Sequence, residues 1–65
     1  MLHEYDVVRL KKSIPSKKLT AQNKGTILIV YEKPGLPKAY EIEFLDEEGQ
    51  TVAIVTLTDD EVEPL

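Results

Sequence analysis

At 65 residues, 42% apolar, 31% charged and −4 in formal net charge, the chain has room for one domain spanning residues 1–65, and one this small hides only about 60% of the surface its unfolded form exposes. Its apolar content separates it from disordered chains, which cannot offset the entropy of ordering. The absence of cysteine excludes a disulfide framework and a thiolate nucleophile. The opening "MLHEYDVV" lacks a signal-peptide pattern and no apolar run nears the roughly 20 residues of a spanning helix, so a cytoplasmic location is expected.

In chain order, "YDVVRL" from Tyr5 to Leu10 is short and β-branched and predicts a first strand. The segment "KKSIPSKKLTAQNK" has no sustained periodicity; Ile14, Leu19 and Ala21 give it apolar anchors, as suits a long loop folded over a core. "GTILIVYE" from Gly25 predicts a second strand, apolar on both faces. "KPGLPK" ends it, with Pro34 and Gly35 suited to the middle of a type II turn. "AYEIEFL" alternates cleanly, Tyr40, Ile42 and Phe44 on one face and Glu41 and Glu43 on the other. The hairpin connection Asp46-Glu47-Glu48-Gly49 places a glycine where a type I turn with a bulge needs left-handed backbone, and "QTVAIVTL" returns antiparallel. "TDDE" from Thr58 to Glu61 matches a capping box and predicts one turn, 3₁₀ in character. Val62 to Leu65 then forms a very short edge strand around Pro64, which cannot donate to a ladder.

Five short strands, a long loop after the first and one helical turn before the last define an all-β, five-stranded SH3-like barrel, whose closure is expected to bury both edges of the small sheet. The expected core is Tyr5, Val7, Leu10, Leu19, Ile27, Ile29, Tyr40, Ile42, Phe44, Ala53, Val55, Leu57, Val62 and Leu65. For the second and fourth strands the inward parity stays open, because both faces are apolar.

"EYDVVRL" at Glu4 to Leu10, "KGTI" at Lys24 to Ile27, "AYEIEFLDEEGQTVAIVTL" at Ala39 to Leu57 and "VEPL" at Val62 to Leu65 together resemble a family of small bacterial proteins, the domain-of-unknown-function family DUF4926. The resemblance covers nearly the whole chain and implies an SH3-like fold; it carries no assigned activity, so it transfers no catalytic residue. More loosely, "NKGTILIVYE" looks like the glycine-led strand of KOW modules and of accessory barrel subunits.

No residue pattern points to catalysis, a cofactor or a metal. His3 is the lone imidazole and has no cysteine or second histidine to complete a zinc set. Ser13 and Ser16 lack a base to activate them. Glu41 and Glu43 on an exposed face are expected to stay ionised rather than form an acid–base pair. The acids at 46–48 and 59–61 are explained by turn and capping chemistry and contain no D-x-D-x-D-G calcium loop, and no glycine-rich phosphate loop is present.

What remains is an uneven distribution of charge. Residues 1–38 contain all eight bases and three acids, a net +5, whereas residues 39–65 contain nine acids and no base, a net −9. A polar patch of this kind steers a partner of opposite sign and speeds encounter more than it raises affinity. The expectation is a non-enzymatic protein-interaction module, an antitoxin-like, immunity-like or accessory subunit, monomeric or weakly self-associating. It would use an acidic hairpin face of Tyr31, Glu41, Glu43, Asp46, Glu47 and Glu48 together with the long loop, and Tyr5 is a further contact candidate. The alternative is a KOW-like nucleic-acid-binding barrel using Lys11, Lys12, Lys17, Lys18 and Lys24, although this loop has no aromatic on which bases could stack.

Overall fold

The computed structural model describes residues 2–21 and 23–65. The strands are β1 (Val7–Leu10), β2 (Lys24–Tyr31), β3 (Ala39–Leu45), β4 (Thr51–Thr58) and β5 (Val62–Pro64), with 3₁₀ turns at Pro15–Lys17 and Asp59–Glu61. All pairings are antiparallel and the order across the sheet is β4-β3-β2-β1-β5.

Local chemistry sets the connections. Between β2 and β3, the Leu36 N–H donates to the Lys33 carbonyl at 3.1 Å across Pro34 and Gly35, and Gly35 supplies the positive φ, +79°, of a type II turn. Between β3 and β4, Gly49 (φ +82°) follows a turn closed by its own N–H on the Asp46 carbonyl at 3.0 Å. The Asp46 carboxylate secures that turn, because its Oδ1 accepts the Glu48 and Gln50 N–H groups, each at 2.9 Å. Asp46→Ala removes both acceptors and should cost about 1 kcal/mol, measured as a lower urea midpoint at unchanged slope.

The first and last parts of the chain force the sheet to coil. Thr58 pairs with Ala39, opposite Tyr31 at one end of β2, whereas Val62 pairs with Leu10, beside the Arg9–Lys24 pair at the other end. In a flat sheet these points would be about 19 Å apart across the strands and about 23 Å along β2. Four residue steps join them, a reach of at most about 14 Å. β2 must therefore bend, and it does so at a bulge: Ile27 pairs with Ile42 and Ile29 with Glu41, leaving Leu28 as an extra residue. Contrary to the expected closure, β4 and β5 remain the two edges: among the described residues no ladder joins them, because Thr58 to Val62 passes from one to the other as a 3₁₀ turn and not as a paired strand.

Inside the coil, cross-strand neighbours stack in rows. Val8, Gly25, Phe44 and Ala53 form one row and Ile27, Ile42 and Val55 a second, while Val30, Tyr40 and Leu57 form a third. Leu10, Leu19 and Val62 complete the buried set of the described residues. The long loop is pinned by a reciprocal bridge in which Ile14 and Leu19 exchange N–H groups at 2.8 and 3.1 Å, and this buries Leu19. Its Pro15–Lys17 turn closes on Lys18 in left-handed backbone.

Four residues expected in the core lie outside it. The Leu28 bulge reverses the alternation along β2, so Val30 faces inward in place of Ile29, which is 41% exposed. In β1, Val8 is buried and Val7 points out, because Val8 pairs with Gly25 in the row that Phe44 fills. Tyr5 precedes the strand in left-handed backbone (φ +68°), within a turn closed by the Asp6 N–H on the His3 carbonyl, and its ring is 73% exposed. Leu65 lies past β5 and is exposed. Ala53 and Val55 face inward as expected but are only half-buried, because among the described residues no strand pairs with β4 on its far side.

Candidate interaction face

The outer side of the sheet follows from the same register. Across β2, β3 and β4, Ile29 pairs with Glu41 and Glu41 with Thr56; one row on, Thr26 pairs with Glu43 and Glu43 with Ile54. Ile29, Tyr31 and Ile54 are 41%, 39% and 54% exposed. The two glutamates thus form an acidic stripe in which each is flanked by one isoleucine and one threonine. Glu43 accepts the Thr51 hydroxyl at 2.6 Å.

Ion pairing separates the nine acids of the second half into two groups. On the β1–β5 side the bases of the first half meet them: the Arg9 Nε donates to the Glu63 carboxylate at 3.0 Å. The Lys11 N–H donates to the Glu61 carbonyl at 3.0 Å, and the Lys11 side chain lies close enough to Asp60 to favour its ionised form. On the β3–β4 side, no described basic group lies within 4.0 Å of Glu41, Glu43, Glu47 or Glu48. The other ion pairs, His3 with Asp6 at 3.8 Å and Lys38 with Glu32 at 3.5 Å, are local.

The structure does not keep the expected acidic set together. Glu41, Glu43 and Tyr31 share the outer face, and Glu47 and Glu48 are exposed at the hairpin tip, but the Asp46 carboxylate is engaged in building its turn. The five lysines of the basic patch are dispersed as well. Lys11 and Lys12 line a cleft with Asp60 and Glu61, and Lys24 lines another with Asp46 and Glu47, while Lys17 and Lys18 lie at the loop's own turn. Acids thus stand beside Lys11, Lys12 and Lys24. Among the described residues there is no cluster of three or more side chains able to hold a metal ion, and no helix long and apolar enough to cross a membrane.

The turn before β5 has the expected capping-box residues. The Thr58 N–H donates to the Glu61 carboxylate at 2.8 Å, and the Thr58 hydroxyl contacts the Asp60 and Glu61 carboxylates. The hydroxyl bond from Thr58 is the main cause that holds the Asp60 carboxyl below its ordinary value. Its neighbour Asp59 accepts the phenol of the buried Tyr40 at 2.5 Å. Burial first, then the bond and charge of Asp59, push the Tyr40 phenol from 10.0 up to about 12, with Glu32 acting in the same direction.

A phenol that gives up its proton less readily when folded contributes stability that is intact below pH 10 and lost as pH rises toward about 12. Tyr40→Phe should cost about 1–2 kcal/mol at neutral pH, since one hydrogen bond to a charged, partly solvated group is lost. It should also flatten the fall in stability between pH 10 and 12, read from urea unfolding across that range.

Ile29 and Ile54 belong to this face although sequence reasoning did not place them there; the available signal was the double-sided apolar character of β2 and β4. The site is thus one face of a five-stranded antiparallel all-β sheet coiled around a bulge. The chain belongs to the DUF4926 family, described as a domain of unknown function, whose profile matches residues 4–64. No curated protein and no solved structure gives a match.

Proposed function

We propose that the protein is a cytoplasmic, non-enzymatic interaction module with an SH3-like coiled sheet, whose β3–β4 face recognises a basic surface on another protein. The observation that carries this reading is the acidic stripe: Glu41 and Glu43 have no basic partner among the described residues and share their face with exposed Ile29, Tyr31 and Ile54. Unpaired charge beside apolar area suits a surface that steers a partner electrostatically and then buries aliphatic and aromatic side chains. Antitoxin-like, immunity-like and accessory-subunit roles are all forms of this reading. The SH3-like assignment is supported by the strand order, the bend in β2 and the 3₁₀ turn that leads into β5.

The test is paired affinity capture from a native lysate with the wild-type protein and a Glu41→Lys/Glu43→Lys double variant as baits. A basic protein retained by the wild type and lost with the variant, followed by at least tenfold weaker binding to the purified partner, is the expected result. Equal retention by both baits would overturn the proposal. So would tight, steeply salt-dependent binding to DNA or RNA in its place.

A further inference from the structure

We propose that the free edge of β4, from Ala53 to Thr58, accepts an extended segment of the partner as a sixth strand, and that this segment alternates lysine or arginine with apolar residues. The inference rests on the reading of the β3–β4 face as the recognition surface and adds the mode of recognition. β4 is paired on one side only, so alternate residues direct backbone N–H and C=O groups away from β3. Natural sheets blunt such edges with charge, proline or bulges. Thr51–Thr58 has neither a charged residue nor a proline, and the Val52 bulge disturbs only its start, leaving six regular residues.

The two faces of β4 specify the incoming strand. Its inner side shows half-buried Ala53 and Val55, which an apolar side chain on a neighbouring strand would cover. Its outer side adjoins Glu41 and Glu43, about 10 Å, or two strand spacings, from an added strand. A long basic side chain and a glutamate span that distance together. Glu47 and Glu48, exposed at the hairpin tip, extend the negative field at one end of the edge. A second copy of this chain fits poorly, because its β4 offers no base to meet Glu41 and Glu43.

The experiment titrates two blocked eight-residue peptides of alternating lysine and valine into the full chain, followed by amide NMR and hydrogen exchange. The second peptide is N-methylated at alternate residues, which removes the ladder donors on one edge and keeps charge and side chains. The expected result is binding of the plain peptide with slowed exchange at alternate β4 amides, weakened at least tenfold by N-methylation and by Ile54→Lys. Equal binding of both peptides, lost in Glu41→Gln/Glu43→Gln, would overturn strand addition while leaving the acidic face as the recognition surface. Binding of neither would overturn both, and protection of the β4 amides by self-association without peptide would overturn the choice of occupant.

Discussion

Replacing Phe44 by alanine should remove about 3–5 kcal/mol, the usual cost of deleting a fully buried aromatic ring. Phe44 has no exposed surface, and its direct cross-strand neighbours Gly25 and Ala53 are too small to fill the space it would leave. A domain of this length has a total stability of about 3–10 kcal/mol, and the variant should therefore lose most of its cooperative unfolding transition. Phe44→Leu, which keeps much of the volume, should cost less, about 1–2 kcal/mol. Thermal and urea unfolding of the two variants tests this directly. A Phe44→Ala protein as stable as the wild type would mean that the row is not the centre of the core.

Gly25→Ala should destabilise by about 1–3 kcal/mol through overpacking. A methyl built at Gly25 comes within 2.5 Å of Ile42 Cγ2 and 2.8 and 2.9 Å of the Phe44 ring atoms Cε1 and Cδ1, well inside the ~3.5–4.0 Å of an ordinary carbon contact. The obstruction is core side chain on a central strand, not a flexible surface tip. Because part of the clash is with the ring, the effect should be non-additive: in a Phe44→Leu background the same substitution should cost about 1 kcal/mol less. Strict additivity would show that Ile42 and the backbone, and not the ring, set the need for glycine.

Features that depend on local chemistry were readable from the residues. The alternation of "AYEIEFL" gave the bounds of β3 and the orientation of Glu41 and Glu43; Pro34-Gly35 and Asp46 to Gly49 gave their turns, and Thr58 to Glu61 gave the cap. Of the four misplaced residues, Tyr5 and Leu65 lie outside the strands, whereas Ile29 and Val7 depend on partners distant in sequence. Nothing around Leu28 marks a bulge, because "TILIVY" is apolar at every position from Ile27 to Tyr31, and only the register against β3 shows that Val30 and not Ile29 follows Ile27 inward. In β1, two adjacent valines satisfy either parity, and the choice is made by Gly25 and Phe44 across the sheet. The shared outward face of Glu41 and Glu43 was therefore legible, and the outward turn of Ile29 and Ile54 beside them was not. The lysines read as one patch because the path of the loop depends on the Ile14–Leu19 bridge, which composition does not reveal.

The ladder between β1 and β5 joins segments separated by nearly the whole matched length, Val8 opposite Pro64 and Leu10 opposite Val62. During synthesis the hairpins formed by β2, β3 and β4 can assemble early, but β1 lacks its outer neighbour, and Leu10 its cover, until Val62 has emerged. Until β5 is made, Leu10 stays uncovered, and completion of this sheet is expected to wait on that pairing, a non-local closure step.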